Sequence, residues 1–443
     1  MKFSKFTHAI QGPGGVFVYH SANGEKCKIT KENYDSILEL LDSRDEEKIK
    51  EYLSWLIEKG MIVEDDEDGR EEKEYYVAPT QEIKELAQRG LYITNLRLNV
   101  TQNCNLRCKY CFENALENYE NRQKMDFETA KKAVDVFLDL LEKNGKSEGN
   151  IRFFGGEPLL DFSLITRVVE HVKQNKNENI TIHFMVNSNG TLITDEMASY
   201  FAENDIHMII SLDGLEEIND INRVDIKGSG SFRRVEAGLK KLLKYKCSID
   251  LATVVTEANV NALLDIVGYI KKLNDEYSAQ CSLALSYLHI TSENGASGYV
   301  EKTGKIIEAI KKARASGINC FGGFTHQVFH NMISPNGGRH CMCLGTELSV
   351  MPDGKVFPCY GIQIELGSID EIDKLLKSDN YFSLIQRTCG FEKKCRGCEI
   401  EYYCAGGCYA DFMSDKGKEK NTCRDKAFQV LLFRELVREY LLS

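Results

Sequence analysis

Proline is scarce in this 443-residue chain, with six in all, and there is one tryptophan. So little proline excludes collagen-like and proline-rich disordered classes. Positive charge is also in deficit: 56 Lys plus Arg stand against 67 Asp plus Glu, a net charge of −11. That sign disfavours a general affinity for nucleic acid or an anionic membrane surface. No apolar run approaches the ~18–20 residues of a bilayer span. The opening MKFSKFTHAIQGPGG lacks the apolar core of a secretory signal. The expectation is an acidic cytoplasmic protein of two or three domains, with neither nucleic acid nor membrane as partner.

Cysteine is what the chain has. There are 16, ten of them between Cys320 and Cys423. This is too sparse for a disulfide scaffold, and a reducing compartment would not keep disulfides, so metal or redox chemistry is the expectation.

Residues 1–95 read as a separate module. GVFVYHS (15–21) and KCKIT (26–30) alternate as strands, and Tyr34, Ile37, Leu38 and Leu41 recur at helical spacing. A second helix carries Ile49, Leu53, Leu56 and Ile57 and stops at Gly60. MIVEDDEDGREEKEYYV then reads as a hairpin or wing around an acidic turn. A calcium loop starting at Glu64 would place Gly69 correctly but Tyr75 where a carboxylate is needed, so a solvated turn is the better reading.

Residues 96–335 alternate strand and helix. The strands are expected at 96–100, 151–154, 180–186, 207–212, 248–255 and 282–288, with helices such as 127–143 and 231–245 between them. Repeated βα units imply a parallel sheet, open or closed into a barrel, with ligands at the carboxyl ends of its strands. Residues 336–443 read as a loop-rich, Cys- and Gly-rich segment closed by a helix at 426–442.

Cys104, Cys108 and Cys111 lie on one short loop directly after the strand LRLNV. Three thiolates can ligate three irons of a four-iron cluster and leave the fourth open to a small molecule. Zinc would be under-ligated there, having no nearby fourth Cys or His. This CxxxCxxC loop, with Tyr110 before its last Cys, resembles the signature of the radical S-adenosylmethionine (SAM) enzymes. FFGGEP (153–158), VNSNGTLIT (186–194) and ISLDG followed by Arg223 resemble that family's supporting motifs. The resemblance implies a partial (β/α)6 barrel. It also implies cofactor contacts from Tyr110, Gly155, Gly156, Glu157, Pro158, Asn187, Ser188, Ser211 and Arg223.

The tail reads Cys341-x12-Gly354-x4-Cys359, then Cys395-x2-Cys398-x5-Cys404-x3-Cys408, then Cys423. It is similar to the SPASM extension of radical SAM enzymes that modify peptides, which holds two auxiliary four-iron clusters. That resemblance assigns Cys341, Cys359 and Cys408 to one cluster and Cys395, Cys398, Cys404 and Cys423 to the other. Cys343 either completes the first cluster or leaves an iron open for a substrate thiolate. Cys27, Cys247, Cys281, Cys320 and Cys389 match no motif and default to small buried hydrophobes.

The resemblance therefore implies three four-iron clusters and SAM as cofactor, with a 5′-deoxyadenosyl radical removing hydrogen from an unactivated carbon. The first 95 residues resemble the winged-helix element that binds the leader of a ribosomally made precursor peptide as an added strand. The implied enzyme is a peptide maturase installing a cross-link, with a cysteine thioether favoured over a carbon–carbon bond. A flavodoxin- or ferredoxin-type protein would be its reductant. The alternative is an anaerobic sulfatase-type maturase forming formylglycine. That family carries Asp directly after the cysteine matching Cys359, where this chain has Tyr360. A non-catalytic electron carrier would need neither the Gly-Gly segment nor an open iron.

Overall fold

The computed structural model describes residues 1–65, 81–111, 122–287, 299–323, 345–359, 361–362, 364–387, 395–407 and 426–443. Near the N-terminus, β1 (Lys2–Phe3) pairs with β5 (Ile62–Val63). Between them, β2 (Thr7–Gly12), β3 (Gly15–His20) and β4 (Lys26–Ile29) form an antiparallel sheet in that order. The period-two alternation of β3 divides its side chains between two cores. Val16 and Val18 pack with Ile37, Leu41, Ile49, Leu53 and Leu56 of the following helices. Phe17 and Tyr19 pack on the other face with Ile10, Ile400, Tyr403, Phe433 and Leu442.

The first helix, Lys31–Ser43, starts where Thr30 Oγ1 accepts from Asn33 N at 3.1 Å. The expected second helix is two, Glu46–Tyr52 and Ser54–Glu58, broken at the buried Leu53. The rest of the expected wing beyond Asp65 lies outside the described residues.

The two edges of the small sheet differ. Along β2 the C-terminal helix Lys426–Leu441 and its end lie close: Gly14 N donates to Leu442 O at 2.6 Å, and Arg438 Nε to Gln11 O at 3.4 Å. On the far side, no strand among the described residues pairs with the outer edge of β4. His20 N donates to Glu25 O, and the register alternates from there. Cys27 and Ile29 therefore bond to β3, while the main-chain groups of Lys26 and Lys28 point outward.

The main sheet contains all six expected central strands. They are β6 (Asn95–Thr101), β7 (Glu148–Gly155), β8 (Thr181–Ser188), β9 (Ile206–Ser211), β10 (Ile249–Val255) and β11 (Ser282–Tyr287). Each of these is followed by a helix; the first, Phe127–Lys143, is capped by Asp126 and buries Ala130, Ala133, Val134, Phe137 and Leu141. With β12 (Cys320–Phe321) they run parallel in sequence order, the right arrangement for a partial barrel. No helix among the described residues is long and apolar enough to cross a membrane.

Beyond residue 336 the chain is more regular than the loop-rich expectation. β13 (Glu347–Val350) adds parallel to β6, and β14 (Lys355–Phe357) and β15 (Gly367–Ser368) continue the same sheet antiparallel. The Pro352-Asp353-Gly354 turn between ELSV and KVF was the available hairpin signal. Polar groups tie β6 to β13: Arg97 pairs with Glu347 at 3.0 Å, both buried, and Asn99 Nδ2 donates to Ser349 Oγ at 3.2 Å.

Candidate cofactor and cluster site

The parallel strands β6 to β9 bring four motifs to their carboxyl ends. β6 delivers the cysteine loop, which is strapped down on two sides. Gln102 N donates to Gln123 O on one side. On the other, Arg107 N donates to Val224 O at 2.6 Å and Lys109 N to Asn222 O at 2.9 Å. Inside the loop, Cys111 N donates to Cys108 O, and the Arg107 guanidinium donates to Cys104 O and Leu106 O, each at 2.7 Å. The thiols thus sit on a backbone fixed by its neighbours.

Burial pushes the Cys104 thiol up to about 12 and raises Cys108, which Arg223 opposes. Such thiols stay protonated at neutral pH, so acting as ligands requires iron to displace their protons. Among the described residues no three His, Cys, Asp or Glu side chains converge on a single ion. The three-thiol donor set on one loop suits a cluster.

β7 ends at Gly155, and Gly156 follows it against this loop. A Cβ at Gly155, where φ is +129°, would stand 2.3 Å from Thr101 O, and one at Gly156 would stand 2.3 Å from Asn103 O. Only glycine permits that approach. The fully buried Glu157 carboxylate then accepts from Ser188 Oγ at 2.8 Å, Asn189 N at 2.8 Å and Leu159 N at 3.1 Å. Burial lifts its pKa to about 7 despite these three donors. Glu157 and Ser188, both expected at the cofactor, thus bond to each other. Pro158 is buried at the start of a short 3₁₀ turn.

Asn187, at the end of β8, has a buried Oδ1 without a hydrogen-bond partner among the described residues. An orphaned acceptor beside a glycine cradle fits a polar cofactor, which would supply the missing donor. Ser211 closes β9 half-buried, and Asp213 follows. Asp213 accepts from Tyr110 OH at 2.5 Å and from Arg223 Nη2 at 3.1 Å, and Arg223 Nε stands 2.9 Å from Asp213 Oδ2 as an ion-pair contact. Burial works against the Arg223 charge, yet Asp213 holds its pKa above the ordinary arginine value. Burial also raises Tyr110. Residues 98–270 match the family model described as the radical SAM superfamily. The chain carries a radical SAM domain.

Sequence similarity to radical SAM enzymes extends beyond this domain, in one relative along nearly the full length of the chain. The chain is 26% identical to the radical SAM cyclopropyl synthase TigE of Paramaledivibacter caminithermalis, over 98% of this chain and 96% of the relative. It is 28% identical to the cysteine-type anaerobic sulfatase-maturating enzyme of Clostridium novyi, over 70% of this chain and 85% of the relative. Its fold matches Streptococcus suis SuiB bound to precursor peptide SuiA with a TM-score of 0.55 at 16% identity, covering 96% and 98% of the two chains.

Of the tail cysteines, Cys359, Cys395, Cys398 and Cys404 are half-buried, and Cys398 and Cys404 lie against the Tyr19–Tyr403–Phe433 core. Cys341, Cys343, Cys408, Cys423 and Tyr360 lie outside the described residues, as does Cys389. Cys247, Cys281 and Cys320 are buried with thiols raised by burial to about 11, about 11 and about 12. Cys27 is half-buried. Asp213 and Asn189 are site residues that motif matching passed over. The signals were available: an acid at a strand end ten residues before an Arg, and an Asn before Gly after β8.

Proposed function

We propose that this chain is a radical SAM peptide maturase that cross-links a ribosomally made precursor. The observation that carries the reading is the three-cysteine loop packed against the Gly155-Gly156 cradle, in a chain matched end to end by a radical SAM cyclopropyl synthase. Cys104, Cys108 and Cys111 would hold a four-iron cluster, and Gly155, Gly156 and Asn187 would receive SAM. When reduced, that pair supplies a carbon-centred radical able to remove hydrogen from an unreactive C–H bond. The protein's own work is to fix the cluster loop through residues 222–225 and keep the cofactor against β7 and β8.

Cys341, Cys359 and Cys408, joined either by Cys343 or by a substrate thiolate, and Cys395, Cys398, Cys404 and Cys423 are assigned to two auxiliary clusters of a SPASM domain spanning residues 336–443. Residues 1–95 are assigned as the winged-helix-like leader-binding module and 96–335 as the barrel. The open edge of β4 supports strand addition by a leader, and a flavodoxin- or ferredoxin-type protein is the proposed reductant.

A cysteine thioether is the first product class. The end-to-end likeness to a cyclopropyl synthase favours carbon–carbon bond formation as the second reading. Both remove two hydrogens from the peptide, so mass alone does not separate them. Iodoacetamide does: a thioether consumes a thiol that a carbon–carbon bond leaves alkylatable. The parent reading is tested by incubating anaerobically reconstituted protein with SAM and dithionite. It expects 5′-deoxyadenosine without added peptide; SAM left intact would refute it.

A further inference from the structure

The loop after β8 converges on one side chain that the family motif does not assign. Asn189 is 8% exposed. Its backbone N donates to Glu157 Oε2 at 2.8 Å. Its Oδ1 accepts from Thr191 N at 3.0 Å and Thr191 Oγ1 at 2.6 Å. Its Nδ2 donates to Asn105 Oδ1 at 2.8 Å and lies 3.7 Å from Cys104 Sγ. Asn105 in turn donates to Thr191 Oγ1 at 2.8 Å.

These contacts fix which way the amide faces. Rotated by half a turn, Oδ1 would meet the oxygen of Asn105 and the sulfur of Cys104, while Nδ2 would face the Thr191 N–H. The Thr191 N–H can only donate, so an amide nitrogen facing it is excluded and Oδ1 stays on Thr191. The amide hydrogen not used by Asn105 is therefore held on Cys104, whose sulfur also receives Leu106 N at 3.4 Å. The same residue is anchored through its backbone to the Glu157 that caps the glycine cradle.

We propose that Asn189 is a positioning residue for the cluster: its side-chain N–H donates to the Cys104 sulfur and stabilises the reduced state. The inference rests on the cluster reading of Cys104, Cys108 and Cys111. A donor to a ligating sulfur withdraws negative charge, and reduction adds charge, so the bond strengthens on reduction. It also couples the thiolate to β7 and β8, so the loop and the cofactor cradle move as one unit.

The test uses full-length, anaerobically reconstituted protein and follows the EPR signal that shifts on adding SAM, which separates this cluster from others. Asn189→Leu removes the donor without adding charge, and Asn189→Asp keeps an oxygen for Thr191. In both, the reduced-to-oxidised ratio at a fixed potential is expected to fall roughly tenfold, equal to about 59 mV for one electron. Asn105→Ala, which leaves the Cys104 donor in place, should stay within about twofold. A fall with Asp alone would be a charge effect and would overturn the proposal, as would a wild-type ratio in both variants.

Where the variants do not hold iron, wild-type protein carrying asparagine labelled with ¹⁵N at the side-chain amide decides. A hyperfine coupling to the SAM-responsive cluster is expected, and its absence overturns the assignment. A wild-type protein with no SAM-responsive signal would instead refute the cluster reading itself.

Discussion

The segment bearing Cys104, Cys108 and Cys111 is held by polar bonds to its own sheet, whereas the segment bearing Cys395, Cys398 and Cys404 is held by aromatic packing against the other end of the chain. In the first, main-chain bonds to Asn222 and Val224 and the buried Tyr110–Asp213–Arg223 set fix the loop within the barrel. In the second, Tyr402 N donates to Ser21 O at 2.8 Å, and Tyr403 and Phe433 meet the Tyr19 ring at 5.5 and 5.2 Å. The lesson concerns the N-terminal module. It shares a core with the tail cysteines and the last helix, so it is no detachable appendage, and deleting residues 1–95 would remove Ile10, Phe17 and Tyr19 from the core of Tyr403 and Phe433.

The comparison can be broken at either end. The largest effect belongs to Asp213→Ala, which leaves buried Arg223 unpaired at a cost of about 3–5 kcal/mol and frees Tyr110. Cleavage of SAM should collapse while tail iron stays bound; 5′-deoxyadenosine assays and iron analysis read the two together. Undiminished cleavage would show that the strap is dispensable.

Tyr19→Ala is the converse. A large-to-small change in a filled core costs about 3–5 kcal/mol, seen as a lower unfolding temperature. It should release iron from the tail and spare SAM cleavage in the absence of peptide. Equal loss from both sites would contradict separate anchoring.

A smaller effect attaches to pH. Burial lifts the Glu157 carboxyl to about 7 in the folded state, against an ordinary value of 4.5. The folded state therefore holds its proton more tightly, and its stability advantage is complete below pH 4.5 and lost as pH rises through about 7. Glu157→Gln should flatten the fall in unfolding temperature between about pH 4.5 and 7, the window between the two values. An unchanged slope would assign that pH dependence elsewhere.

The smallest effect is expected at β4. Lys28→Pro removes an outward N–H without breaking a bond to β3, while Lys28→Ala loses only the Nζ contact to Leu441 O. Proline alone should raise KM for a leader-bearing precursor by roughly three- to tenfold, the loss of about one hydrogen bond. Equal KM for both variants would remove leader addition from this edge.

Much of this was legible in the residues. β-rich runs separated by amphipathic helices announced the parallel sheet, and cysteine spacing announced the loop at Cys104. The alternation in LRLNV also marked a strand with Arg97 and Asn99 on one face. Its partners Glu347 and Ser349 lie 250 residues away and left no local trace. The same applies to Tyr19, whose contacts with Tyr403 and Phe433 depend on chain ends meeting in space. Local pattern reports periodicity and turns; it does not report which buried polar or aromatic group will find which distant partner.

The most direct measurement is iron and sulfide content, with Mössbauer spectra, on anaerobically reconstituted wild-type protein and on the variant with Cys104, Cys108 and Cys111 all changed to Ala. Three four-iron clusters predict about twelve irons per chain. The variant should lose about one third of that iron together with all SAM cleavage. A wild-type content of about four irons, or a triple variant that still cleaves SAM, would contradict the division of the chain into one cofactor-cleaving loop and a separately anchored cluster-bearing tail.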